Sequence, residues 1–283
     1  MTSTPDIPQL RNPWMVAAFE GWNDAADAAS GAVDHLIDEW DAELLIELDP
    51  EDYYDFQVHR PHVHTTDDGD RLITWPAPQI FHARPARLDR DVLLLRGPEP
   101  NFRWKAFCST VIGVAQLAGV TELVTLGALL ADSPHTRPVP VSGSTSDPAL
   151  MERMSLSAST YNGPVGITSV LGEVAAREGI ASASLWAAVP HYLAEPPCPK
   201  ATLALLGALE DAVGMPLPQG VLTEMTEAWQ RGAEELTSQD VEIAEYVKAL
   251  ENERDTSELP EASGDAIARE FERYLRRRNV DPE

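Results

Sequence analysis

The chain has 283 residues, and 46 Asp and Glu against 21 Lys and Arg set a formal net charge of −25. That balance argues against a nucleic-acid ligand, whose phosphates need clustered cations, and against an anionic membrane surface. Its 43% hydrophobic residues lie far above the disordered range, and a chain of this length buries roughly 75% of the surface it exposes when unfolded.

In chain order, Trp14 to Phe19 reads as a strand, and Glu20-Gly21-Trp22-Asn23-Asp24 turns the chain. Asn23 or Asp24 is placed to cap a helix over Ala25 to Trp40, because short polar side chains accept from the first free amides. Leu44 to Leu48 is a second strand. His62 to Thr66 and Arg71 to Trp75 flank Asp67-Asp68-Gly69-Asp70, a hairpin signal. Gln79 to Ala83 and the buried run Asp91 to Leu95 follow as strands. Trp104 to Ala118 has helical apolar spacing, with Gly119 as its C-terminal cap.

Glu122 to Leu130 is the next buried strand. The prolines in Arg137 to Val141 put that stretch at an edge or in a loop. Ser146 or Asp147 caps a short helix through Met154. Gly163 to Val170 reads as strand-like and Gly172 to Arg177 as helix. Ser184 to Val189 is a strand and Lys200 to Val213 a helix. Alternating strands and helices predict a sheet covered on both faces, and the hairpin makes a mixed sheet the better expectation.

From Gly214 the composition changes. Met215-Pro216-Leu217-Pro218 is a connector, and amphipathic helices follow over Val221 to Leu236 and Gln239 to Asn252. A polar linker, Arg254 to Gly264, leads to a last helix, Asp265 to Arg278. The expected division is an α/β core over residues 12–218 and a helical extension over residues 219–283.

Apolar strands that break into polar residues mark the sheet edge where ligands bind in open α/β folds. Two runs end at Pro-His steps, Pro134-His135 and Pro190-His191. Together with Glu20 and Asp24 they form a candidate strand-end pocket, because imidazole and carboxylate are the usual acid and base groups near neutral pH. Arg137 is a candidate clamp for a carboxylate or phosphate. Ser142-Gly143-Ser144 is a candidate anion loop on backbone amides. Histidines after proline also end strands in plain hydrogen-bonded turns, and carboxylates also cap helices, so a structural reading stands beside the catalytic one. His62 and His64 share a strand face, but no third metal ligand is evident. No phosphate loop, dinucleotide fingerprint or nucleophile elbow occurs, so neither a cofactor nor a metal is expected. Cys108 and Cys198 make no disulfide framework. The segment MTSTPDIPQL lacks a basic stretch followed by an apolar one, and no apolar run spans a bilayer. A cytoplasmic protein is therefore expected.

Several blocks resemble the proteasome assembly chaperone 2 family, in its actinobacterial form. They are FEGWNDAADAA (Phe19 to Ala29), DPEDYYDFQVHRP (Asp49 to Pro61), LLRGPEPNFRW (Leu94 to Trp104), LGALLADSPHTRPVPVSG (Leu126 to Gly143), YNGPVGITSVL (Tyr161 to Leu171) and SLWAAVPHYLAEPPCPKATLALL (Ser184 to Leu206). The resemblance implies a three-layer αβα sandwich similar to the nucleoside phosphorylase fold. It implies a homo-oligomer, a trimer, and proteasome subunits or another protein as partners. It supplies no catalytic residue. The hydrophobic-Tyr-any tail by which some relatives dock is absent from Val280-Asp281-Pro282-Glu283. Tyr53, Tyr54, Phe56, Phe102 and Trp104, aromatics in polar stretches, are candidates for an interface. Two readings remain: a non-enzymatic assembly or scaffold factor, and a hydrolase or transferase using the strand-end histidines and carboxylates.

Overall fold

The computed structural model of the chain describes residues 7–66 and 68–258. The helix expected over Asp265 to Arg278 and the terminal Val280 to Glu283 lie outside these residues.

Four apolar runs form the centre of the sheet: β1 (Trp14–Ala17), β6 (Val92–Arg96), β7 (Glu122–Ala131) and β9 (Ala181–Pro190). They run parallel, in the order β6-β1-β7-β9. Three further strands flank them, each antiparallel to its inner neighbour. On one side lie β5 (Gln79–Ala83) and then β2 (Glu43–Glu47); on the other lies β8 (Val141–Thr145). The sheet is thus seven-stranded and mixed. A separate antiparallel pair, β3 (His62–Thr65) and β4 (Arg71–Thr74), projects as an arm.

Strand alternation divides the core in two. Trp14, Val16, Val92 and Leu94 face α1 (Ala28–Glu39), α3 (Pro148–Met154) and α5 (Pro199–Val213). Met15, Ala17, Leu93 and Leu95 face α2 (Trp104–Ala118) and α4 (Ile167–Arg177). The result is a helix–sheet–helix sandwich. Outside it, α6 (Leu222–Gln239) packs on α5, and α7 (Val241–Glu258) packs on α6. No helix among the described residues is long and apolar enough to cross a membrane.

Three local expectations are corrected. Gly163 to Val170 is not a strand: the chain is irregular through Gly166, and α4 starts at Ile167. Ile167, Leu171 and Ala175 are buried at four-residue spacing, so the helical period prevails over the short alternation. Arg254 to Glu258, expected as linker, belongs to α7. The first helix starts at Ala28 rather than Ala25. Ala26 and Asp27 both hold left-handed backbone angles, with φ 53° at each, which interrupts the helix there.

Candidate functional site

All four parallel strands release their chain at one edge, which carries the strand-end residues singled out in the sequence. At the end of β1 the ladder persists past the strand: Ala18 N–H donates to Leu95 O and Glu20 N–H to Gly97 O, both at 3.0 Å. Asn23, fully buried, then ties its own turn to the loop after β6, to β7 and to the segment before α4. Its Nδ2 donates to Glu99 Oε1 at 2.8 Å, and its carbonyl accepts from Ala128 N–H at 2.8 Å. Its Oδ1 packs against Gly166, where a β-carbon would sit 2.1 Å away. Glu99 Oε1 also accepts from Ile167 N–H at 2.9 Å, which places a carboxylate at the N-terminus of α4.

Asp24 is 4% exposed. Its carboxylate accepts from Ala29 N–H at 2.6 Å, from Ser30 N–H at 3.3 Å and from the Ser30 hydroxyl. Asp24 therefore caps α1 across the left-handed turn. Burial outweighs these hydrogen bonds and pushes its pKa up to about 6. Glu20 follows β1 by three residues, with its side chain on the surface. Partial desolvation raises its pKa, Arg96 opposes that, and Asp34 and Asp27 add to it. Arg96 itself pairs with Asp34 at 2.5 Å.

The ends of β7 and β9 build a second cluster. His135 is 2% exposed. Its backbone N–H donates to the Tyr192 hydroxyl at 2.9 Å, and its Nδ1 lies 2.9 Å from the same hydroxyl. Its Nε2 is buried with no hydrogen-bond partner among the described residues. Lys200 Nζ donates to the His135 carbonyl and to Gln230 Oε1. Burial, then the Lys200 charge, lowers the His135 pKa, so the ring stays neutral at pH 7. His191 Nδ1 lies 3.1 Å from Asp132 Oδ1, which also accepts from the Tyr246 hydroxyl at 2.9 Å. Tyr246 meets His191 and Tyr192 edge-on.

Arg137 is held by α7. Its Nε and Nη2 donate to Asp255 at 2.9 and 2.7 Å, and its Nη1 to Glu251 at 3.2 Å. His135, Arg137 and His191 thus gather beneath α7 through Tyr192, Asp132 and Tyr246. Among the described residues, no hydrogen bond or ion pair links Glu20 or Asp24 to that group. Ser142, Gly143 and Ser144 lie within β8, paired to β9 by register, rather than in a loop. His62 and His64 sit on the exposed arm.

Of the aromatics expected at an interface, Tyr54 is buried with its hydroxyl on Pro98 O, and Tyr53 packs edge-on against Phe107. Phe102 is half exposed. Asn23, Glu99 and Tyr192 fall within the blocks that carry the family resemblance, but the roles of these residues and of Tyr246 in organising the edge were not read from the sequence. Their partners are far away in the chain, so spacing could not reveal them.

These features define an α/β sandwich with a mixed sheet whose carboxyl edge is tied together by buried polar groups. The chain belongs to the PAC2 family, whose model matches residues 18–237. A PAC2 family protein of Streptomyces avermitilis is 52% identical; the match covers 83% of this chain and 99% of that one, with a TM-score of 0.78. A Mycobacterium tuberculosis proteasome-assembly chaperone homologue is 48% identical, covering 82% of this chain and 99% of its own, with a TM-score of 0.75. An archaeal proteasome activator of Pyrococcus furiosus shares the fold at 16% identity, covering 83% of this chain and 97% of its own, with a TM-score of 0.65. Among curated proteins, none matches this sequence.

Proposed function

We propose that this chain is an assembly factor of the proteasome-chaperone type that works by docking proteins in the cytoplasm. It acts as a homo-oligomer, a trimer, and takes proteasome subunits among its partners. The α/β core over residues 12–218 carries the docking edge, and the helical extension over residues 219–283 braces it. One observation carries this reading: the polar groups at the strand ends hold the structure, while large apolar side chains at the same edge face water. Asp24 and Glu99 cap helices, and Arg137 and His191 engage carboxylates. Trp22 is 69% exposed, and Phe102, Leu129 and Leu130 are each about half exposed. Exposed apolar groups gathered at one edge mark a protein contact. The likeness to a mycobacterial proteasome-assembly chaperone homologue supports the same reading.

The test is affinity purification of the tagged full chain from its native cells, with proteins and small molecules identified together, alongside light scattering of the pure chain. Stoichiometric recovery of partner proteins and a trimer mass are expected. Recovery of a tightly held metabolite with no partner protein would overturn the reading. It would favour the alternative of a hydrolase or transferase, for which the unpartnered Nε2 of His135 beside Lys200 is the one supporting observation.

A further inference from the structure

The amino edge of the parallel strands, opposite the strand-end residues, carries a cleft of about 530 Å³. Three pieces of chain enclose it: the end of α1 at Glu39 and Trp40, the β5–β6 loop from Pro85 to Leu88, and the connector from Met215 to Gly220 that follows α5. Its walls are pinned from behind. The buried Glu210 carboxylate accepts from Leu217 N–H at 3.0 Å, His35 Nε2 donates to Pro218 O at 2.9 Å, and Leu88 N–H donates to Pro85 O at 3.1 Å. Gly220 has a left-handed φ of +45°, and a β-carbon there would collide with Glu39 Oε1, so the Glu39 side chain lies against the end of the connector. Fixed walls and this volume are the properties of a preformed small-ligand site.

The lining is apolar apart from two opposite charges and Gln219. Trp40 and Met215 are half-buried, Leu88 is buried, and Pro85, Pro216 and Pro218 add ring surface without N–H donors. The charges are Glu39 and Arg87, both exposed. Among the described residues neither has an ion pair or a side-chain hydrogen bond, and the two do not pair with each other. Their neighbours differ: Arg84, Arg90 and Arg96 are engaged by Asp91, Glu122 and Asp34. α1 and α5 both turn their carboxyl ends to this cleft, which adds negative potential on the Glu39 side. The cleft thus presents an anionic lip, a cationic lip and an apolar floor.

We propose that this cleft binds a short apolar peptide with free termini, its ammonium group at Glu39, its carboxylate at Arg87 and its side chains against Trp40, Leu88 and Met215. The inference goes beyond the docking reading and does not depend on it. Charge selects the ligand. An apolar acid would answer Arg87 and face Glu39 unpaired; an apolar amine would answer Glu39 and face Arg87. A single amino acid holds both charges on one carbon. An extended peptide of about three residues sets them about 7–10 Å apart, which suits two lips that do not touch each other. Its side chains supply the apolar area that the floor can cover.

The test titrates trileucine into the full chain by calorimetry, with ligand-observed NMR on the same mixtures. One molecule per chain is expected to bind, with a Kd below about 1 mM. N-acetyl-trileucine and trileucine amide each lack one charge and should bind about tenfold more weakly, and leucine alone weaker still. Two mild surface variants, checked by circular dichroism, place the ligand. Glu39→Gln should abolish the difference between trileucine and its acetylated form, and Arg87→Gln the difference between trileucine and its amide. No binding of trileucine up to about 10 mM overturns the proposal. So does equal binding of the acetylated form, the amide or leucine, and so does binding that ignores both substitutions. Each of these results leaves docking at the carboxyl edge standing, because that reading is judged by the partner proteins recovered.

Discussion

The indole of Trp186 lies over Gly127, its register partner on the neighbouring strand, so that a β-carbon at Gly127 would come within 2.6 Å of the ring. The ring is held there by its Nε1, which donates to Ser184 Oγ at 2.8 Å. Gly127→Ala therefore forces the indole off its strand or the strands apart. The expected cost is about 1–3 kcal/mol in urea unfolding. In a Trp186→Ala background the same substitution should cost much less, and additive costs would show that the two residues do not collide.

Asp24 makes stability depend on pH in an unusual direction. Its folded pKa of about 6 lies above the ordinary value of 3.8, so the folded state binds the proton more tightly. Its contribution is greatest below about 3.8, declines as pH rises to about 6, and is flat above that, for a total of roughly 3 kcal/mol. Asp24→Asn keeps an acceptor for the Ala29 amide and removes the titration. The difference between wild-type and variant unfolding free energies should change across that window; a constant difference from pH 4 to 7 would contradict the assignment.

Asp91 works the other way. Its buried carboxylate takes hydrogen bonds from Arg84 Nη2 at 3.1 Å and from Arg11 Nε at 2.8 Å, and its Oδ2 lies 3.2 Å from His82 Nε2. Burial alone would raise its pKa, but these bonds together hold it far below the usual carboxylate range. Its contribution is complete above the ordinary carboxylate pKa and declines as pH falls from there toward the depressed folded value. Asp91→Asn should cost about 1.5–3 kcal/mol at pH 7 and less in acid. An equal cost at pH 7 and pH 2 would show that the charge is not what matters.

The extension should be separable from the core at its far end. Truncation before Arg254 removes Asp255 from Arg137, an exposed ion pair whose loss has little effect on stability. The expected product is soluble and melts cooperatively, at a slightly lower temperature by circular dichroism. An insoluble or molten product would mean that residues beyond 254 complete the core.

The alternation of strand and helix was legible in the sequence, because buried strands appear as continuous apolar runs and helix ends carry local caps. Asp147 accepting from Ala149 and Leu150, and Gly119 in a left-handed cap after α2, are local signals of this kind. The edge to which Glu20, His135 and His191 belong was also legible, since parallel strands release their ends together. What each group does there was decided by the tertiary structure. The Tyr192 hydroxyl that orients His135 lies 57 residues away, the Asp255 that holds Arg137 lies 118 away, and the Glu99 that meets Asn23 lies 76 away. Periodicity and capping report on neighbours within a few positions. They can put a histidine at the end of a strand, but the hydroxyl, carboxylate or helix that takes up its hydrogen bonds is set by which faces the packed layers bring together.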